Sequence, residues 1–147
     1  MLRREQHVVR CFEGTRLVPP LLSQTHESLL TTTRSGGDPN QQDEYGRTLL
    51  HHAIYGNMAK AGKVLLEAGA DPSALDPDGY SALHYAVNMR NQASLQMLLL
   101  SSGGVDVDQV DYNTWTALHH AANNGYLQEA HMLLEGGAKL VISKHIL

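Results

Sequence analysis

The sequence is poor in cysteine, in aromatic side chains and in charge, and each scarcity excludes a class of protein. Cys11 is the single cysteine among 147 residues, so an internal disulfide framework is excluded and a reducing compartment, the cytoplasm or the nucleus, is expected. Aromatic residues make up only 5% and charged residues only 18%, whereas hydrophobic residues make up 42%. The apolar material is therefore mainly leucine, alanine and valine, which favours packed helices.

The charge and hydropathy patterns also exclude several partners. Eleven basic and fifteen acidic residues give a net charge of −4, which is not the basic footprint of a nucleic-acid-binding protein. No apolar run approaches the roughly 18 residues that span a bilayer, so membrane insertion is not expected. Residues 1–20 carry basic side chains without an apolar signal core, and we predict a poorly ordered segment there.

A phrase centred on histidine occurs three times, at His51, His84 and His119, with spacings of 33 and 35 residues. Each copy opens with an aspartate, has Thr or Ser three residues before the histidine, and continues to a leucine pair. The aspartates are Asp43, Asp76 and Asp111, the hydroxyl residues are Thr48, Ser81 and Thr116, and the leucine pairs begin at Leu65, Leu98 and Leu133. A fixed period of this length is typical of repeat architectures.

The local chemistry of one unit predicts two short helices and a hairpin loop. The Thr or Ser is a good N-cap, and a helix of about nine residues should follow it and end near Asn57, Arg90 or Gly125. Arg90 tolerates the left-handed conformation poorly, so strain is expected at that corner. Neither helix is long enough to be stable alone, which means that stacking must bury the apolar faces.

The frame Asp-x-x-Gly-x-Thr-x-Leu-His-x-Ala, followed by Leu-Leu and Gly-Ala-Asp, resembles the ankyrin repeat. The resemblance implies an all-α repeat solenoid of stacked helix-turn-helix units with projecting hairpin loops. The family's proline after threonine is absent from every unit, and Thr114 replaces the turn glycine of the third. The predicted units are a partial or capping repeat over 21–42, full repeats over 43–75, 76–110 with a two-residue insertion, and 111–140, and an atypical tail over 141–147.

The resemblance implies that His51, His84 and His119 form structural hydrogen bonds near the helix starts. A zinc ladder is disfavoured, because successive units place these histidines about 10 Å apart while zinc binds nitrogen at about 2.0–2.1 Å. His52 and His120 correspond to Tyr85, and packing and partner contact are both open for them. The recurring aspartates are predicted to form turns. No hydrolase, phosphate-loop or metalloprotease motif occurs, so neither an enzyme nor a cofactor is expected.

Because the frame is shared, function is expected in the residues that vary within it. By resemblance to ankyrin repeats, another protein or a peptide should bind at the hairpin tips and at the exposed end of the first helix. Aromatic side chains concentrate there, as they do in interface hot spots, although some rings could instead cover loop backbone. The candidate partner-binding residues are Tyr45, Arg47, Tyr55, Asp78, Tyr80, Met89, Tyr112, Trp115 and Asn124.

Three further hypotheses concern the ends of the repeat array. The apolar tail after Lys139 lacks the polar outer face of a terminal repeat, so the chain could be a fragment or shortened form of a larger regulator or adaptor whose effector activity lies elsewhere. The same uncapped end is predicted to favour self-association. Asn40 occupies the hairpin asparagine that asparaginyl hydroxylases modify in some ankyrin repeats, which makes it a candidate modification site.

Overall fold

The computed structural model describes residues 38–43, 45–101 and 104–140, and within them it contains six helices and no strand beyond an isolated bridge. The expectations for residues 1–20, for most of 21–42 and for 141–147 lie outside the described residues. The helices are α1 (Leu49–Tyr55), α2 (Ala59–Glu67), α3 (Ala82–Asn88), α4 (Gln92–Leu100), α5 (Ala117–Asn124) and α6 (Leu127–Glu135). The predicted all-α repeat solenoid is confirmed.

The helices form two layers. Within each unit the two helices pack on each other, α1 on α2, α3 on α4 and α5 on α6. Between units, α1, α3 and α5 pack side by side as an inner layer, and α2, α4 and α6 pack as an outer layer. The apolar face of each short helix is thus covered by its own partner and by the neighbouring units, as stacking requires.

Each inner helix begins with a reciprocal capping box. The N–H of His51 donates to the Thr48 hydroxyl, and the N–H of Thr48 donates to the His51 Nδ1 at 3.0 Å. Ser81 and Thr116 form the same box with the histidine three residues later. The inner helices contain 7, 7 and 8 residues, fewer than the nine predicted, because the turn to the outer helix begins earlier.

Buried leucine and alanine side chains fill the space between the layers. The alanine two residues after each histidine is at most 1% exposed, and its small size lets neighbouring inner helices approach closely. The first leucine of each pair is fully buried, at Leu65, Leu98 and Leu133. The periodic apolar positions of the sequence therefore form one continuous core along the stack.

The hairpin turns use a left-handed residue at the same position of each unit. Gly46 and Gly79 occupy it with φ of +74° and +83°, whereas Thr114 occupies it with φ of +63°. A Cβ on Gly79 would also lie 2.6 Å from the Tyr112 backbone nitrogen. A side chain is therefore sterically excluded at Gly79, whereas the third unit accommodates one at Thr114.

We expect Thr114→Gly to raise the free energy of unfolding by about 1 kcal/mol, because glycine relieves a left-handed conformation that costs an L-residue about 1–2 kcal/mol. Gly79→Ala should do the opposite, because it adds both the strained conformation and a clash with Tyr112. Chemical denaturation of the two variants measures both effects. A destabilised Thr114→Gly protein would contradict the assignment of strain.

Candidate partner-binding surface

An aspartate organises each hairpin. Asp43 Oδ1 accepts from the N–H groups of Tyr45 and Arg47 at 2.9 and 2.8 Å. Asp76 and Asp111 make the same pair of bonds to the residues two and four positions later. These bonds satisfy backbone donors within the turn, so the prediction that the repeated aspartates form turns is confirmed.

The second carboxylate oxygen of each aspartate binds a ring nine residues later on the inner helix. This contact decides the open question about His52, Tyr85 and His120, whose rings bond the hairpin of their own unit. The bonds join Asp43 to His52 Nε2 at 2.9 Å, Asp76 to the Tyr85 hydroxyl at 2.5 Å and Asp111 to His120 Nε2 at 2.7 Å. The recurring Asp-to-ring spacing was the sequence signal for it.

The other histidines connect successive units. His51 Nε2 donates to the Tyr80 carbonyl and His84 Nε2 donates to the Trp115 carbonyl, both at 3.0 Å. The direction follows because each Nδ1 accepts from a backbone N–H, which leaves the ring proton on Nε2. The predicted structural role is therefore confirmed for these two. His119 Nε2 is buried and has no hydrogen-bond partner within the described ranges.

His84, Asp111 and His120 bring three potential metal ligands within 4.8 Å of one another. Each of these atoms already takes part in a hydrogen bond: His84 Nε2 with Trp115, and His120 Nε2 with Asp111. A metal at this point would displace both bonds and would need a different His84 tautomer. We therefore interpret the cluster as a hydrogen-bonded part of the repeat frame.

Burial sets the charge states along this network. It lowers the pKa of His52 to about 4, and it also lowers the pKa of His51 and His84. Burial opposes ionisation of Asp43 and Asp111, but hydrogen bonds from the turn N–H groups and from the neighbouring histidine bring the pKa of both carboxyls below its usual value. Near neutral pH the carboxylates of Asp43 and Asp111 are thus anionic, whereas the imidazoles of His51, His52 and His84 are neutral.

The nine predicted partner-binding residues divide by exposure. Six lie on hairpin tips or at the ends of inner helices with exposed side chains: Tyr45, Tyr55, Asp78, Met89, Tyr112 and Asn124. We name these six the inner surface. Arg47, Tyr80 and Trp115 are half-buried. The prediction treated all nine alike, and the structure separates them because the last three contribute to the hairpin frame.

The Tyr80 and Trp115 rings pack on histidines. The Tyr80 and Trp115 rings both contact the His120 ring edge to face. The distances between ring centres are 5.7 Å for Tyr80 and 5.2 Å for Trp115. Arg47 instead pairs with Asp43 at 3.3 Å and lies over the Tyr45 ring. These three side chains, which occupy the same position of successive units, are therefore part of the hydrogen-bonded and aromatic contacts of the repeats.

Two grooves bring candidate residues together. A groove of about 580 Å³ between the first two hairpins is lined by Tyr45, Arg47 and Asp78, with Pro77 beside them. A second groove of about 250 Å³ follows α1 and α3 and is lined by Tyr55 and Met89, together with polar residues of the interhelical turns. Exposed side chains of the inner surface line both grooves.

A third groove, of about 750 Å³, lies between the outer helices α2 and α4 and was missed from the sequence. Its lining includes Leu66, Met97 and Leu100, and the Leu100 side chain is 76% exposed. The signal was present in the sequence of α4, QASLQMLLL, where leucine and methionine continue around the helix. This groove on the outer helices is the alternative binding surface, and an experiment on the inner surface has to distinguish the two.

Asn40 bridges two hairpins. Its side-chain nitrogen donates to the Gly69 carbonyl at 3.2 Å, and its side-chain oxygen accepts from the Asp71 N–H at 2.6 Å. Asp108 accepts from the Lys139 N–H at 2.8 Å in a corresponding contact. An enzyme that modified Asn40 would first have to open both of its bonds.

The third unit is less covered than the others. Ala122 is exposed where Ile54 and Val87 are fully buried in the earlier units, and Leu134 is 41% exposed. These observations concern residues up to 140. Self-association through this end stays a prediction.

Comparison with known families agrees with the geometry. The model described as "Ankyrin repeats (3 copies)" matches residues 21–111, and the model described as "Ankyrin repeat" matches residues 113–144. A comparison with curated proteins finds no significant match. In the part of the chain that the structure describes, no helix is long and apolar enough to cross a membrane. Because the first match alone covers more than half of its length, the chain belongs to the ankyrin repeat family, whose members are typically non-catalytic domains that bind other proteins.

Proposed function

We propose that this protein is a non-catalytic interaction module that binds a protein or peptide segment across its inner surface. The observation that supports this most is the exposure of aromatic and methionine side chains beside two grooves. Tyr45 is 57% exposed at the first groove, and Met89 is 41% exposed at the second. Tyrosine and methionine are enriched in the cores of protein interfaces.

The hydrogen-bonded frame supports the proposal because it fixes the hairpin backbone and the order of the units that carry the exposed side chains. Turn N–H groups bond the aspartates, the aspartates bond the inner helices, and histidines bond the next unit. A rigid surface loses little conformational entropy when a partner binds. The hairpin backbone therefore does not have to be ordered at the moment of association.

We expect a Tyr45→Ala/Met89→Ala double variant to lose affinity for partners captured from an extract by at least about 30-fold, the equivalent of about 2 kcal/mol at a hot spot. The helical circular dichroism should be unchanged, because both side chains are exposed. Binding is measured with each captured protein after its identification by mass spectrometry. Tyr80 and Trp115 are less suitable, because their rings also pack on histidines.

The matched control is Leu127→Ala, which removes a 79% exposed apolar side chain from the outer helix α6. It should bind like the wild type. If instead Leu127→Ala or Leu100→Ala abolishes capture while the double variant binds normally, the interface lies on the outer helices and the inner-surface proposal is wrong.

The hypotheses about the ends remain predictions with simple tests. Mass spectrometry of protein treated with an asparaginyl hydroxylase should show one added oxygen at Asn40, and an unmodified Asn40 would contradict that site.

Analytical ultracentrifugation should show concentration-dependent dimers if the third unit self-associates. The alternative that effector activity lies outside this chain also stays a prediction.

A further inference from the structure

We propose that the 250 Å³ groove beside α1 and α3 is a subsite for a carboxylate group of the bound segment. The inference rests on the proposed function, because it specifies the chemistry of one part of that partner. The groove is lined by Tyr55, Asn57, Met89, Arg90 and Gln92, and none of its lining residues in the described part of the chain is acidic.

The backbone of this groove is strained where its polar side chains begin. Asn57 and Arg90 have φ of +59° and +52°, and the corresponding residue of the third unit is Gly125, with φ of +70°. Three non-glycine residues in the described ranges have positive φ, and two of them line this groove. Glycine would suit these positions better, so the strain points to a role for the side chains that replace it.

Arg90 is held by two contacts, and its guanidinium still has N–H donors for a ligand. Its guanidinium carbon lies 4.9 Å from the centre of the Tyr126 ring, and its Nε lies 3.7 Å from Oε1 of Glu129. The Arg90 side chain makes no hydrogen bond within the described residues, and it is 58% exposed. Stacking on Tyr126 limits the freedom of the fork, and two parallel N–H donors match a carboxylate.

Glu129 is the acidic group that faces Arg90. Its Oε1 accepts from Gln92 Nε2 at 3.2 Å, and the residue is fully buried. Because Glu129 approaches the Nε edge of the guanidinium, a second carboxylate has only the two terminal nitrogens on which to bind. An arginine can hold one carboxylate on each edge, since its five N–H donors form a fixed fork.

The rest of the groove fits a side chain rather than a free metabolite. Its volume is below the roughly 300–1,000 Å³ of small-molecule pockets. Tyr55 and Met89 supply apolar contact for the aliphatic part of an acidic residue, and the exposed Asn57 amide supplies a further donor. The carboxylate could come from an aspartate or glutamate side chain or from the end of a chain, and the experiment distinguishes these sources.

The test selects random short peptides on the full-length protein, with one arm of C-terminally amidated peptides and one of free acids. Enrichment of an acidic residue in the amidated arm identifies a side-chain carboxylate, and enrichment confined to the free acids identifies a chain end. For the selected peptide, Arg90→Gln should lower affinity at least about tenfold, or about 1.4 kcal/mol. The Asn, Gln or amide analogue of that peptide should bind wild type and Arg90→Gln equally.

Lys63→Gln is the matched control, because it removes the same charge from an exposed position on the outer helix α2 and should leave affinity unchanged. Arg90→Lys keeps the charge but not the fork, so it should show an intermediate loss, and it decides the matter if Arg90→Gln does not fold. Selected peptides without a carboxylate preference, or with equal affinity for Arg90→Gln and wild type, overturn this inference alone. Selection of no peptide in either arm overturns the proposed peptide-binding function as well.

Discussion

His84→Ala is expected to lower the free energy of unfolding by about 2–4 kcal/mol, with a fall in melting temperature of about 10 °C or more. His84 is fully buried in the middle unit. Its loss leaves the buried Ser81 N–H without the Nδ1 acceptor and removes the Nε2 donor to the Trp115 carbonyl in the next unit. Each buried polar group left unpaired costs about 1–3 kcal/mol, and the missing ring leaves a cavity.

His119→Ala is the matched control for this prediction. His119 makes the same capping contacts with Thr116, but its Nε2 has no partner in the described ranges. Its replacement should therefore cost less, and the difference between the two variants contains the bond between units together with the deeper burial of His84. Equal losses would contradict a stabilising role for that bond. If purified protein held stoichiometric zinc that His84→Ala removed, the structural interpretation of the histidine would be wrong.

Acidification from pH 7 to pH 4 is expected to destabilise the protein by about 3 kcal/mol through His52 alone. Burial lowers the pKa of His52 from 6.5 to about 4, and each unit of difference corresponds to about 1.36 kcal/mol. The unfolded chain binds the proton first, so stability is complete above pH 6.5 and is lost as the pH falls towards the folded pKa. His51 and His84 also have a lowered pKa, and they add to the loss in the same direction.

Asp43 and Asp111 extend this acid sensitivity to lower pH. The pKa of each carboxyl is below its ordinary value in the folded protein, so the stability that each contributes above pH 3.8 is lost as the pH falls through the folded pKa. Denaturant midpoints measured across the acid range would show the histidine and aspartate contributions in succession.

His52→Tyr tests the assignment with a side chain that the protein already uses. Tyr85 occupies the corresponding position of the second unit, and its hydroxyl donates to Asp76. The variant should keep the bond to Asp43 without a group that titrates between pH 4 and 6.5, and its stability should fall less over that range. An unchanged pH dependence in His52→Tyr would show that other groups cause the acid sensitivity.

Much of the fold could be predicted because its determinants are local and repeated. Thr48 and His51 are three residues apart, and Asp43 lies within four residues of the N–H groups that it binds, so residue type and spacing sufficed. The period of 33 to 35 residues identified the units and the buried leucines. The lengths of the inner helices were less predictable, because the position at which a turn begins depends on contacts with the outer helix.

The candidate surface could be predicted only in part. Tyr45, Met89 and Tyr112 are exposed as expected. Tyr80 and Trp115 occupy equally promising positions in the sequence, but their rings lie on His120. Tyr80 reaches His120 across units, whereas Trp115 lies five residues from His120 in the same unit. In both cases the three-dimensional direction of the ring decides its exposure, and sequence position alone does not specify that direction.

The sequence by itself determined the repeat, the capping boxes, the aspartate turns and the stacking of helix pairs, since all of these follow from short-range spacing and periodic apolar residues. The tertiary structure alone decided which rings are covered and that Arg90 lies over Tyr126 beside a buried Glu129. It also showed that, among the described residues, His119 Nε2 has no acceptor like those of His51 and His84. Apart from the packing of Trp115 on His120 of its own unit, these contacts join residues about 30 or more positions apart or depend on a neighbouring unit. Their geometry is set by the packing of one unit on the next, which residue spacing within a unit does not encode.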